Sequence, residues 1–233
     1  MQAFIHPTLT KLFDGIKNFQ QRAYEQDPAN MKGLVEDGQH PKVLLIACSD
    51  SRVDPAILTN AEPGDLFVLR NVANLVPTYD VASKYDGARA AIEYAVRDLE
   101  VEHIVILGHA RCGGINALLK SLSGQKIERD FIGDWVSLAM DGCVHYAIDQ
   151  IVRSDSNLEE SVGEVDIDNL REHQHLVERA AIRGSLDNLL TYPWIKRRVD
   201  DGILNLHGWW FDLENGDLWA TDADNTVFLP VIE

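Results

Sequence analysis

Apolar and polar positions along this chain alternate between two periods. Val43-Leu44-Leu45-Ile46-Ala47 carries no polar residue and lies between Pro41 and Cys48, the pattern of a short strand covered on both faces. Leu66-Phe67-Val68-Leu69 and Ile104-Val105-Ile106-Leu107 repeat it. Between those two runs, "SKYDGARAAIEYAVRDL" at 83–99 sets Ala88, Ala91, Ile92, Ala95, Val96 and Leu99 at helical spacing. Alternation of strand and helix predicts an α/β fold, a mostly parallel central sheet flanked by helices with right-handed crossovers. A further helix is predicted over 130–152, where Phe131, Trp135, Ala139, Cys143 and Ala147 recur along one face. The polar stretch 153–175 reads as a loop leading into a charged helix. At 202–222 two strands flank Asn215-Gly216, which predicts a C-terminal hairpin. Near the start, Leu9, Leu12, Phe13, Ile16 and Phe19 form one apolar stripe. A stripe so far from the core runs predicts a helix that packs on a partner subunit.

Size and charge narrow the picture. A chain of 233 residues without linker or repeat fits one α/β domain over 1–233, with residues 1–30 as an N-terminal helical arm. Net charge is −16, which argues against nucleic acid and against anionic membrane surfaces as partners. No run approaches 18 apolar residues, and the N-terminus lacks the basic start and apolar core of a signal peptide. Three cysteines, an odd number, fit a reducing compartment in which thiols stay free, so a cytoplasmic location is expected.

The candidate chemistry sits where strands end. Cys48 follows the first strand and His109 the third, and in an open α/β sheet such ends face the binding crevice where strand order reverses. Cys112 lies three residues after His109, and Gly113-Gly114 turns the chain into a helix. Cys, His and Cys make a ligand set that leaves a zinc ion one open position. Helix amides and a metal would both favour the thiolate at Cys112. Two thiolates and a neutral imidazole leave the ion without net charge, which makes its water harder to deprotonate and calls for compensation. Asp50 and Arg52 lie two and four residues beyond Cys48. If Arg52 grips the Asp50 carboxylate, Asp50 can accept a hydrogen bond from the bound water; if the grip opens, Asp50 can become a fourth ligand. Taken singly, Cys48 would be core and Asp50 with Arg52 a turn-stabilising ion pair; it is their conjunction with His109 and Cys112 that points to a site. Cys143 lies on an apolar helical face and reads as core, and His173, His175 and His207 have no partner at metal spacing. Gly108 to Gly113 has P-loop glycine spacing but lacks the Lys, and Cys48 to Arg52 is too short for a thiol phosphatase cradle.

"CSDSR" at 48–52 followed by "GHARCGG" at 108–114 resembles the β-class carbonic anhydrases, and the likeness covers most of residues 35–225. The resemblance implies one Zn2+ per chain held by Cys48, His109 and Cys112, a catalytic dyad of Asp50 and Arg52, and attack of zinc-bound hydroxide on carbon dioxide to give bicarbonate. It also implies a homodimer or a higher even-numbered homo-oligomer. In the plant-like branch the substrate pocket lies between subunits, and the matching positions are Gln39, Phe67, Val72, Tyr94 and the amide near Gly113. Another branch binds regulatory bicarbonate through a Trp, an Arg and a Tyr; here those places hold Leu45, Arg70 and Phe211, so the plant-like branch without that site is expected. Two competing readings are a hydrolase of carbon disulfide or carbonyl sulfide, which uses the same zinc chemistry, and a noncatalytic zinc module. An intact Asp50–Arg52 pair speaks against the module, since a structural site has no need of a ligand in reserve.

Overall fold

A computed structural model describes residues 6–147 and 167–231. Six strands form one sheet in the order β2-β1-β3-β4-β5-β6. They are β1 Val43–Cys48, β2 Leu66–Asn71, β3 His103–His109, β4 Asn205–Phe211, β5 Leu218–Thr221 and β6 Phe228–Pro230. The first four run parallel, as the unbroken apolar runs predict, and β5 and β6 are antiparallel additions at one edge. Helices among the described residues are α1 Pro7–Gln20, α2 Pro28–Glu36, α3 Pro55–Thr59, α4 Gly87–Glu93, α5 Gly113–Leu122, α6 Ile132–Ser137, α7 Met140–Gly142, α8 Ile167–Glu172, α9 Gln174–Leu190 and α10 Pro193–Asp200. Proline opens α1, α2, α3 and α10, where its missing N–H costs nothing. Asp54 and Asp86 cap α3 and α4 by accepting from amides of the first turn.

The strands are buried on both faces because their side chains alternate between two cores. Leu44, Ile46, Ile104 and Ile106 pack with Ile92, Ile182, Leu186 and Ile195 on one side. Leu45, Ala47, Val105 and Leu107 form the opposite cluster with Trp209 and Phe211. A third cluster surrounds Cys48 and Cys112 and is built largely from α5, α6, α7 and α9. There α7 and α9 cross at Gly142 and Gly184, where a Cβ on either would stand 2.8 Å from the other's Cα. Only glycine allows that approach, and it brings α9 down against the ends of β3 and β4.

Several elements differ from the sequence expectation. The helix predicted from Ser83 starts at Gly87, where Asp86 supplies the cap, and continues as a π-helical turn over Tyr94–Asp98. The helix predicted over 130–152 is broken into α6, α7 and a π-helical turn Cys143–Ala147, and its final residues 148–152 lie outside those described. Ala139, Cys143 and Ala147 are buried as expected, but Phe131, the proposed start of that face, is 81% exposed because the chain enters α6 there in a non-helical conformation. Most of the polar stretch, 153–166, also lies outside the described residues; within the part read as loop, 167–172 is already helical and α9 starts at Gln174. The hairpin forms, joined by Asp212–Asp217 with Gly216 at φ +84°. The N-terminal stripe is helical, and Leu9, Leu12, Phe13, Ile16 and Phe19 are all exposed in the single chain.

Candidate metal centre

Strand order reverses between β1 and β3, since the chain leaves β1 for β2 on one side and returns to β3 on the other. Cys48 ends β1, His109 ends β3, and Cys112 is the residue from which α5 starts. Topology therefore carries all three residues to one crevice. A sulfur of each cysteine and a ring nitrogen of His109 lie within 4.8 Å of one another, and all three residues are buried. Gly114 makes the close fit possible: a Cβ there would meet Ala73 Cβ at 2.8 Å and Val72 Cγ1 at 2.9 Å.

The donor atoms are prepared for a cation. His109 Nδ1 sits 2.8 Å from the Ala110 carbonyl, which can only accept, so Nδ1 carries the proton and Nε2 presents a lone pair. That Nε2 is buried and has no hydrogen-bond partner among the described residues. An orphaned buried acceptor between two sulfurs is costly unless a metal takes it up, so the residues present fit a zinc ion. The closeness of the two sulfurs and of His109 favours loss of one proton from the Cys48–Cys112 pair, against the opposing effect of burial. Cys112 is correspondingly pushed up, although the amides of Gly114 and Ile115 pull the other way. Burial disfavours the His109 imidazolium, and the Cys48 thiolate with the Ala110 carbonyl outweighs it, raising His109 above its ordinary value.

Asp50 stands at the mouth of this cluster in the grip of Arg52. Asp50 Oδ1 accepts from the Arg52 amide at 3.0 Å and from Nε at 2.9 Å, and Oδ2 accepts from Nη2 at 2.7 Å. Arg52 Nη2 also donates to the Arg111 carbonyl at 3.2 Å, so the guanidinium bridges the two loops. The fork holds the Asp50 carboxyl well below the usual carboxylate range. Asp50 Oδ2 is 3.9 Å from His109 Nε2, close enough to face the ligands yet outside their cluster.

The sequence-predicted pocket residues fall into separate groups. Val72 and Gly113 flank the cluster, Val72 against Gly114 and Gly113 at the first position of α5 with open space where a side chain would be. Phe67 and Tyr94 pair with ring centroids 5.8 Å apart. Phe67 is in register with Leu44, four residues before Cys48, which puts it about 13 Å from the metal ligands at the usual rise per strand residue. Gln39 lies exposed in the segment before β1, with no side-chain hydrogen bond among the described residues. One chain thus gathers the ligands and the dyad but not the whole pocket.

Other residues that hold the site were not singled out from sequence. Arg70 Nε donates to the Cys48 carbonyl at 3.0 Å, Nη2 to the carbonyls of Asp50 at 2.7 Å and Val53 at 3.3 Å, and Nη1 to Asp54 Oδ2 at 2.9 Å. This guanidinium, considered above only as a vestige of a regulatory site, gathers the whole 48–54 loop. On the other side, Glu178 and Gln174 of α9 bond the Cys112 peptide. Nothing in their local sequence signals this, because the partners are 62 or more residues apart.

Comparison with known proteins follows the same residues. The family model described as carbonic anhydrase matches residues 43–218. Beta carbonic anhydrase 5, chloroplastic, of Arabidopsis thaliana is 37% identical over 219 residues, which are 91% of this chain and 66% of that protein. The chain thus spans just under two thirds of that relative's length. The carbonic anhydrase of Synechocystis sp. is 35% identical over 92% of this chain and 72% of its own length. Among solved structures, the β-carbonic anhydrase CcaA superposes with a TM-score of 0.79 at 32% identity, covering 98% of this chain and 94% of that one. A β-carbonic anhydrase of Sordaria macrospora, described as tetrameric, gives 0.71 at 26% identity over 92% and 97% of the two chains.

Proposed function

The chain belongs to the β-carbonic anhydrase family, whose reaction is the zinc-dependent reversible hydration of carbon dioxide to bicarbonate and a proton, and we propose that five residues carry that reaction here. Cys48, His109 and Cys112 hold the zinc ion, one per chain, and Asp50 with Arg52 forms the catalytic dyad. The single observation that carries this reading is the buried Cys-His-Cys cluster with an unpartnered imidazole nitrogen, next to a carboxylate held by a guanidinium fork. When bound, zinc supplies Lewis-acid activation of water, lowering its pKa towards neutrality.

The chain's own residues do the rest. Arg52 keeps Asp50 ionised, so that Oδ2 accepts a hydrogen bond from the reacting water and orients its lone pair towards carbon dioxide. The Arg52 bridge to the Arg111 carbonyl keeps that carboxylate at the mouth of the cluster. Were the fork to open, Asp50 would be placed to join Cys48, His109 and Cys112 in holding the ion. Val72, with Phe67 and Tyr94 of a neighbouring copy, forms an apolar slot for carbon dioxide, and the Gly113 amide with Gln39 of that copy orients its oxygens. The separation of Phe67 and Tyr94 from Cys48 within one chain supports that division. It also supports a homodimer or higher even-numbered oligomer, with the exposed stripe of α1 lying on the partner.

The regulatory bicarbonate site is absent on this reading. Arg70 is engaged by the 48–54 loop, Leu45 is buried without an indole, and Phe211 lacks a hydroxyl. Three free thiols support a reducing compartment such as the cytoplasm. Among the described residues no helix is long and apolar enough to cross a membrane. Stopped-flow assays of zinc-replete protein with carbon dioxide, and in parallel with carbonyl sulfide, test the function. Rapid hydration of carbon dioxide at alkaline pH is expected, and its absence would overturn the assignment.

A further inference from the structure

One turn of α9 grips the Cys112 peptide at both ends. The Cys112 N–H donates to Glu178 Oε1 at 3.0 Å, and its carbonyl accepts from Gln174 Nε2 at 3.2 Å. The same Gln174 nitrogen donates to Glu178 Oε1 at 2.9 Å, which closes a ring of three hydrogen bonds around the peptide. Glu178 Oε2 accepts from Trp210 Nε1 at 3.1 Å and so ties the ring to β4.

Packing alone does not call for this arrangement. Glu178 is 3% exposed, and its hydrogen-bond partners among the described residues are neutral donors rather than a cation. Burying a carboxylate is costly, and an apolar residue would fill the same space between α9 and β4 without that cost. What a carboxylate offers there is acceptor capacity for three converging donors. The peptide it holds also needs restraint. Arg111, one residue earlier, adopts a left-handed φ of +57°, and Cys112 itself is extended at φ −67° and ψ 122° with no side-chain cap to α5. A non-glycine residue at a left-handed φ is strained, so the 110–112 turn would relax if unheld.

We propose that Gln174 and Glu178 form a peptide clamp that presets Cys112 as a metal ligand and thereby sets how long the protein keeps its ion. They are positioning residues, and the clamp rests on the reading that Cys48, His109 and Cys112 bind zinc. It operates through hydrogen-bond geometry. Gln174→Met removes the donor at similar length. Glu178→Gln keeps the shape but exchanges one oxygen for an amide nitrogen, leaving one of three donors without an acceptor.

The test measures zinc release from the fully loaded chain into excess chromogenic chelator. Ser185→Ala is the control: Ser185 is equally buried on α9 and accepts from the Val76 amide at 3.3 Å, away from the Cys112 peptide. Gln174→Met and Glu178→Gln are expected to release zinc about 10–100-fold faster than the parent, and Ser185→Ala within about twofold of it. The cobalt-substituted clamp variants should also show shifted ligand-field bands. Gln174 is only half-buried, so Gln174→Met carries the test even if Glu178→Gln fails to fold. Parent-like release in Gln174→Met, or equal acceleration in Ser185→Ala, would overturn the clamp. If those results accompany rapid loss from Cys112→Ala, the metal site stands and the clamp alone falls. Zinc kept by Cys112→Ala as firmly as by the parent would remove the metal-site reading, and the clamp with it.

Discussion

The loop after β1 and the loop after β3 meet at one centre, but they are held by opposite charges. Residues 48–54 are gathered from behind by the Arg70 guanidinium, which takes three carbonyls and the Asp54 carboxylate. Residues 110–112 are gripped by a buried acid and its amide neighbour. The consequence lies in what each loop leaves free. Arg70 fixes the backbone of the first loop, while the Asp50 side chain takes its hydrogen bonds among the described residues from Arg52, which is half-exposed. An ion pair open to water exchanges partners at little cost. The second loop presents a buried thiol and a strained turn, held on the inner side by the clamp and on the outer side by Arg111 bonded to Glu214. The first loop thus carries a partly exposed ion pair, and the second a buried thiol.

The largest expected effect treats the loops as equals. Cys112→Ala and Cys48→Ala should each lose zinc and, with it, hydration; metal analysis after desalting checks this, and full retention in one variant would break the symmetry of the two loops. A second experiment separates ligand residues from pocket residues. Asp50→Ala and Phe67→Ala protein, each nearly inactive alone, are dissociated together and reassembled. If the slot comes from a neighbouring copy, random pairing into dimers restores about a quarter of the sites. No recovery would place Phe67 and Asp50 in the same site. A smaller effect follows from Arg70→Met, which strands the 48–54 carbonyls. Loss of about 1.5–3 kcal/mol in chemical denaturation is expected for each charged hydrogen bond that is not replaced.

The smallest effect is a titration. Arg52 depresses the folded Asp50 pKa, so its stabilising contribution is complete above the unfolded value of about 3.9 and is lost only as pH falls through the lower folded value. Carboxyl NMR should show Asp50 still ionised where ordinary aspartates are half protonated. In Arg52→Gln its inflection should move up towards the ordinary range.

Much of this was legible in the chain. The parallel strands announced themselves as apolar runs, and the chemistry-bearing residues stood at their ends, so β1, β3 and the Cys48, His109, Cys112 cluster follow from local sequence. The Asp50–Arg52 pair was readable because the partners are two residues apart. What escaped has a common cause. Arg70 reaches back 20 residues to the Asp50 carbonyl, and Glu178 reaches 66 residues to the Cys112 amide, and in both cases one partner is backbone, which carries no side-chain signature. The broken helix over 130–152 escaped for another reason. Periodicity marks the face that becomes buried, and it does not mark where tertiary packing against α9 interrupts the helix.

On the proposed reading Cys48, His109 and Cys112 hold zinc while Asp50, kept ionised by Arg52, accepts a hydrogen bond from the reacting water and orients it. The measurement that tests it most directly is carbon dioxide hydration against pH, on parent and Asp50→Ala protein of known zinc content. One zinc per chain in both is expected, with a parent rate that rises with pH and an Asp50→Ala turnover lower by about 10²–10⁴-fold. A zinc-loaded parent without hydration, or an Asp50→Ala variant that matches it across the pH range, would contradict the account.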